Sequence, residues 1–424
     1  NIERCLRALG SAERVVVLDS HTTDPTAGIA RRLGAEVVQF DYRGGYPKKR
    51  QWALDTLRIA TPWVMMVDAD EVVPEALRLH PEPWYEEQGI RLLRETVAQE
   101  LLLDESAVAL NDGARESFDR LVLACGAHPF TPPIPGVTRE GVTTLRSREQ
   151  AEALLLAMQA GAEGVVIGGG ILGLETAGAL ARLGVQVTVL EAHGWLLPRQ
   201  LNQRAAAHLQ RHVEAQGITV ANGARSKEIV GDEEAQGVLL EDGTILPAAQ
   251  VIVAAGVRPN SHLARRAGLH VNKGVVVDDL LRTSHPNVYA AGDVAEHQGV
   301  CYGLWEPARY QGVIAGRNAA GRSDAFGGLP RANVLKVLDL ELFSIGDVNA
   351  TDGSYIEIDD EEDQRYYRFL FRDNQLAGGI LLGDTKAGAG LARAMKERAD
   401  CSALLRSQPT AQDVAAHFAE QQRG

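Results

Sequence analysis

Residues 164–173 read Gly-Val-Val-Ile-Gly-Gly-Gly-Ile-Leu-Gly, and the reading of the fold starts from this stretch. Val165-Val166-Ile167 is a short apolar, β-branched run, which suits a buried strand. It enters Gly168-x-Gly170-x-x-Gly173 directly. Residues 174–183 are rich in Ala and Leu and predict a helix, and residues 186–190 predict the next strand, which ends on Glu191. Each glycine has a task. Gly168 makes the tight turn, Gly170 lets backbone approach a pyrophosphate, and Gly173 permits close helix–strand contact. The helix start offers unpaired N–H groups and the positive end of a dipole to phosphate. Glu191 stands 23 positions after Gly168, close to the ~20 expected of an acid that accepts from a ribose 2′-hydroxyl. A carboxylate there repels a 2′-phosphate, so NADH is expected over NADPH.

Outward from this unit the α/β pattern recurs. Residues 13–18 and 35–40 read as strands around a helix at 26–33, followed by a helix near 50–59 and a strand at 63–67. Pro74, Pro81 and Pro83 interrupt the pattern, and short strands and turns run to Leu123. Residues 327–383 are strand-rich, with acids at 359–363, and a helical tail is predicted at 387–396. The chain has 424 residues, 45% hydrophobic and 23% charged, which suits a globular protein of several domains. A net charge of −13 argues against nucleic acid as a partner and suits one with a basic docking face. Cys5, Cys125, Cys301 and Cys401 are far apart, so neither a zinc ribbon nor a redox disulfide is signalled. No apolar run reaches membrane-spanning length and no leader is read at the start, so a cytoplasmic protein is expected. The first residue is Asn rather than Met, which suits a fragment.

Three further motifs carry a resemblance. Asp119-Arg120-Leu121-Val122-Leu123-Ala124-Cys125-Gly126 precedes Pro133-Ile134-Pro135-Gly136. Residues 251–260 read VIVAAGVRPN, and residues 286–293 read PNVYAAGD. With these, residues from about 78 to 400 resemble the FAD/NAD(P)-dependent pyridine nucleotide–disulfide oxidoreductases. The likeness is to NADH-dependent nitrite reductase large subunits and NADH–rubredoxin oxidoreductases. Cys125 stands where that family usually has Thr. The resemblance implies FAD and NAD as cofactors. It places Gly126, Gly292 and Asp293 at the flavin, with Asp293 on a ribityl hydroxyl, and Gly256 near the nicotinamide. Trp305 to Ala308 would open a helix aimed at the flavin pyrimidine edge. Read without the resemblance, Asp293 is either an acceptor for sugar-alcohol hydroxyls or an N-capping residue. Glu175 either orients the nicotinamide carboxamide or favours the helix start by its charge.

The family's own first strand–GxGxxG–helix, which binds the ADP half of FAD, is not found before residue 168. Instead, residues 1–73 resemble a fragment of a GT-A glycosyltransferase of the lipopolysaccharide-core type. The matching residues are 1–6, Asp19-Ser20, Thr23-Asp24-Pro25-Thr26 and Asp68-Ala69-Asp70-Glu71. That resemblance would give Asp68 and Asp70 a divalent metal, and a solvated acidic loop is the alternative. The chain thus reads as a chimera with its junction near residues 73–78.

The fold expected is α/β. Two interleaved Rossmann-like domains, one for FAD and one for NAD, are joined by a small α+β C-terminal domain and preceded by a GT-A-type segment. The segments are 1–77 for the glycosyltransferase-like unit, 78–142 with 261–326 for the FAD-binding domain, 143–260 for the NAD-binding domain, and 327–424 for the C-terminal reductase domain and helical tail. The function expected is transfer of electrons from NADH through FAD to a protein, iron–sulfur or haem acceptor, in a homodimer, with FAD binding impaired. A sugar-nucleotide glycosyltransferase and a non-catalytic NAD-binding remnant are the alternatives.

Overall fold

The computed structural model describes residues 16–19, 26–39, 82–93, 95–329, 332–362 and 365–420. The chain forms two compact units, Asn1–Thr96 and Val97–Gly424. In the first, β1 (Val16–Asp19) and β2 (Glu36–Gln39) pair in parallel, Val16 opposite Glu36, and α1 (Thr26–Arg32) connects them. Gly34, at φ +84°, turns the chain out of the helix, and Ala30 and Ala35 pack with Ile29 and Val37. A short α2 (Glu82–Glu87) follows. The helix expected at 50–59, the strand at 63–67, and Asp24, Asp68 and Asp70 lie outside the described residues.

The second unit opens with an antiparallel meander, β3 (Ala98–Leu102), β4 (Ala107–Leu110) and β5 (Arg115–Ser117). Then come β6 (Leu121–Leu123) and β7 (Ala127–Pro129). A doubly wound body follows, as the glycine stretch predicts. It contains β8 (Val142–Thr144), α3 (Arg148–Ala157), β9 (Glu163–Ile167), α4 (Ile171–Arg182), β10 (Gln186–Glu191), α5 (Gln203–Glu214) and β11 (Thr219–Asn222). Next is an antiparallel trio, β12 (Ser226–Val230), β13 (Gly237–Leu240) and β14 (Ile245–Pro247), before β15 (Gln250–Val253) returns to the parallel sheet, whose order is β11-β10-β9-β15-β8. Ser147 and Gln150 form a capping box that starts α3.

The chain then goes back to where it left. β16 (Val257–Pro259) pairs antiparallel with β7. After α6 (His262–Arg266) and β17 (Val275–Val277), β18 (Val288–Ala290) pairs in parallel with β6. β19 (Ala295–His297) and α7 (Trp305–Ala319) complete this body. The two interleaved bodies expected from the sequence are therefore present.

Last is an antiparallel sheet of β20 (Ala332–Val337), β21 (Leu340–Gly346), β22 (Ile356–Glu362), β23 (Arg365–Arg372) and β24 (Gln375–Leu382), in the order β20-β21-β24-β23-β22. It carries α8 (Gly388–Glu397), α9 (Ser402–Arg406) and α10 (Ala411–Glu420). The sequence reading found the first of these helices and missed the other two.

This sheet does not stand apart from the doubly wound body. Val166, Leu174, Ala177 and Leu180 share one core cluster with Val337, Leu338, Leu342 and Tyr366. Among the described residues, no helix is long and apolar enough to cross a membrane.

Candidate functional site

Strand β9 ends where Gly168 takes φ +120°, a value L side chains rarely adopt. A Cβ on Gly168 would collide with the carbonyl of Ala254, and one on Gly173 would collide with the carbonyl of Gly168. These two positions therefore hold strand, turn and helix together, and glycine is required at both. Gly170 differs. It is the N-cap of α4 in an extended conformation, makes no side-chain cap, and has open space where a Cβ would stand. A diphosphate can approach this ledge closely, with the first-turn N–H groups of α4 behind it. The donor set and the clear approach fit a dinucleotide.

Glu191 is 7% exposed, and both of its oxygens are engaged. Oε2 accepts from the backbone N–H of Gly169 at 3.0 Å, and Oε1 accepts from that of His193 at 2.8 Å. The carboxylate thus ties the end of β10 to the glycine turn, a bond the sequence reading did not foresee. Each oxygen keeps a second lone pair for a ribose hydroxyl. Gly169 was also missed, although a Cβ there would crowd Leu196 and Glu191. A third glycine in a row, within a motif that needs only two, was the available signal.

Glu175 lies beyond the first turn of α4, and it has a protein partner that the sequence does not announce. Its Oε1 accepts from the backbone N–H of Leu338 at 3.0 Å, in the turn between β20 and β21. It acts on the C-terminal sheet rather than on the helix start.

The second group of expected residues gathers at the paired strands β6 and β18. Leu121, Val122 and Leu123 face Val288, Tyr289 and Ala290, and Ala291 N–H donates to Leu123 O at 3.0 Å. The two motifs, 167 residues apart, therefore end side by side at Cys125-Gly126 and Gly292-Asp293. Gly292 has φ +79°. Its N–H donates to Oε1 of Gln311, a fully buried residue of α7, which the sequence places in this helix without a role. A Cβ on Gly292 would touch that of Ala308, so the first turn of α7 lies against Gly292. Leu304 gives α7 no side-chain cap, which leaves its first N–H groups free for a ligand. Asp293 accepts no hydrogen bond from the described residues and is half-buried. Trp305 is 61% exposed at the head of the helix. A flavin fits this set, which supplies a carboxylate for ribityl hydroxyls and an uncapped helix end for the ring edge. The described residues hold no second glycine turn for the ADP half of FAD.

Gly126 and Gly256 flank the β7–β16 ribbon at opposite ends, at φ +65° and +98°, each with open space at the Cβ position. Asn260 clamps Cys125-Gly126. Its N–H donates to Gly126 O at 2.9 Å and its Nδ2 to Cys125 O at 2.6 Å, while its Oδ1 is 2.6 Å from His128 Nδ1.

Cys125, Cys301 and Cys401 are free thiols. Burial, helped by the charges of Glu296 and Asp293, pushes the Cys301 thiol up to about 11. Burial also pushes the Cys125 thiol up. Both are thus poor nucleophiles near neutrality. Among the described residues, no cluster of His, Cys, Asp or Glu could hold a metal.

Comparison with known proteins adds a family match. Residues 15–312 match the model of the pyridine nucleotide-disulphide oxidoreductases, and residues 332–399 match that of the rubredoxin NAD+ reductase C-terminal domain. The first match takes in residues 15–73, and the comparisons give the glycosyltransferase reading of that segment no support. The chain is 37% identical over 330 residues to a nitrite reductase [NAD(P)H] of Bacillus subtilis, 77% of this chain but 41% of the relative's length. The putidaredoxin reductase–putidaredoxin complex matches at TM-score 0.68 and 26% identity, over 78% of this chain and 81% of the other. An NAD-dependent persulfide reductase from A. fulgidus matches at TM-score 0.69 and 26% identity, over 93% and 74%.

Proposed function

The chain belongs to the pyridine nucleotide-disulphide oxidoreductase family, and on that premise we propose that it oxidises NADH and passes the electrons through FAD to a separate protein or metal-centre acceptor. The observation that carries this reading is the parallel pairing of β6 with β18, which runs the strand leading to Gly126 alongside the strand leading to Gly292-Asp293, with the first turn of α7 against Gly292. The β7–β16 ribbon joins that site to the dinucleotide unit at residues 168–191.

Gly168, Gly170 and Gly173 cradle the NADH diphosphate, and Glu191 accepts from the adenosine ribose. Asp293 accepts from ribityl hydroxyls, and the head of α7, at Trp305 and Ala308, faces the flavin edge, where negative charge develops on reduction. When bound, FAD supplies the step from a two-electron donor to a one-electron acceptor, and the protein supplies position and electrostatics. None of the described cysteines carries electrons, since these thiols are unpaired and Cys125 and Cys301 stay protonated near neutrality. The acceptor is a small redox protein or a further redox module, as suits relatives much longer than this chain. Among the described residues of the second unit, 97–142 and 261–326 are read as the flavin body, 143–260 as the nucleotide body and 332–420 as the C-terminal domain.

The glycosyltransferase alternative rests on Asp68 and Asp70 and is not favoured. The test is to add NADH to the FAD-supplemented protein without oxygen and follow the flavin absorbance. Protein-dependent bleaching supports the reading, and bleaching no faster than in free FAD contradicts it.

A further inference from the structure

Leu338 and Asp339 form a two-residue turn between β20 and β21, at φ +48° and +70°. Two positive φ values in a two-residue hairpin mark a turn that favours Asn-Gly. A leucine there is a strained choice. It persists because the nucleotide body engages all of it. The Leu338 side chain is 2% exposed and lies over Gly178 of α4, where any Cβ would collide with it. Its N–H donates to Glu175 Oε1 at 3.0 Å. Its carbonyl lies 2.8 Å from His212 Nε2 and accepts from Gln216 Nε2 at 3.0 Å.

The grip continues along α5. Arg204, His208, His212 and Gln216 recur every four residues, on one stripe of the helix and its end. Arg204 pairs with Glu361 at 2.8 Å and Asp359 at 3.3 Å, and His208 Nε2 is 2.8 Å from Glu361 Oε1. The two helices that flank β10, α4 and α5, are thus both held by the C-terminal domain.

We propose that the Leu338-Asp339 turn is a latch coupling dinucleotide binding on α4 to the C-terminal domain, with Glu175 as its positioning residue. The inference rests on the reading of residues 168–191 as the nucleotide site. α4 is one rigid rod. Its first turn faces the diphosphate, and Glu175 and Gly178 on the same rod hold the hairpin. Immobilising the rod at one end tightens the grip at the other, and by linkage the hairpin strengthens nucleotide binding by the same factor.

The Leu338 amide reports on the latch, because its hydrogen bond goes to Glu175. Its hydrogen exchange is measured in the full chain with and without ADP-ribose, alongside ADP-ribose affinity by calorimetry. ADP-ribose is expected to slow exchange about fivefold or more in the unaltered protein. Glu175→Ala and Gly178→Ala should each abolish the slowing and weaken ADP-ribose by a similar factor. Glu175→Gln, which keeps an oxygen acceptor, should retain both. Binding of ADP-ribose with unchanged Leu338 exchange overturns the coupling alone. So does loss of latch protection in Glu175→Ala or Gly178→Ala with unchanged affinity. Failure of the unaltered protein to bind ADP-ribose overturns the nucleotide-site reading, and the coupling with it.

Discussion

The carboxylate of Glu191 is hydrogen-bonded to the backbone N–H of Gly169 at 3.0 Å, so the acid proposed to meet the nucleotide also holds the glycine turn. Glu191→Ala removes a buried acceptor and leaves that N–H unpaired, a loss of about 1–3 kcal/mol. NADH affinity should fall roughly tenfold or more. NADPH, which the negative charge disfavours, should lose less, so the preference for NADH narrows. Fluorescence titration of both nucleotides against both proteins checks this. Equal affinities for NADH and NADPH in the unaltered protein would contradict it.

Asp293 accepts no hydrogen bond from the described residues. Asp293→Ala therefore breaks no bond within the described fold. It should leave thermal stability within about 0.5 kcal/mol, as surface changes do. Flavin affinity should fall by roughly 1.5–3 kcal/mol, the worth of a hydrogen bond to a charged group. ADP-ribose affinity should be unchanged. Unaltered flavin binding in this variant would remove Asp293 from the site.

The Cys301 thiol ordinarily ionises near 9.0 but is pushed up to about 11 by burial and nearby carboxylates. Alkylation by iodoacetamide should therefore be slow at neutral pH and should accelerate only as the pH approaches 11. In the unfolded chain the thiol ionises first, so this group's contribution to stability is full below about 9 and is lost as pH rises toward 11. Cys125→Ser and Cys301→Ser should leave NADH turnover intact. Complete loss of turnover with flavin retained would show that a thiol takes part in the chemistry.

Arg368, 7% exposed, holds Asp359 at 2.8 Å and Glu357 at 2.5 Å, and its Nε donates to Val348 O at 3.2 Å. Arg368→Ala strands Asp359 without its closest cation and should cost about 3 kcal/mol, toward the lower end of the range for breaking a buried pair, since Glu357 is half-exposed. Thermal or urea unfolding measures it. A loss below about 1 kcal/mol would mean that Arg204 alone satisfies the acids.

What the sequence disclosed and what it hid divide along physical lines. Gly168, Gly170, Gly173 and Glu191 were legible because the demands on them are local. A turn, a close approach and a strand end all fall within about 25 residues of one another. The β6–β18 pairing was legible only through family resemblance, because no periodicity links strands so far apart. The partners of Glu175 and Gly292 were hidden. Leu338 lies 163 positions from Glu175, and Gln311 accepts from Gly292 N–H in a role that its residue type does not announce. The Leu338-Asp339 turn violates the usual turn chemistry, so its sequence gave no turn signal. The shared core of the nucleotide body and the C-terminal sheet likewise depends on tertiary packing, which no local pattern announces.

The central claim is that NADH bound at residues 168–191 reduces a flavin held at Gly126, Gly292 and Asp293. The most direct measurement is anaerobic stopped-flow of the protein supplied with excess FAD, mixed with NADH and followed by flavin absorbance. The account predicts bleaching that saturates with both FAD and NADH, and that Asp293→Ala and Glu191→Ala each slow. Bleaching at the rate of free FAD, or unaffected by both substitutions, would contradict it.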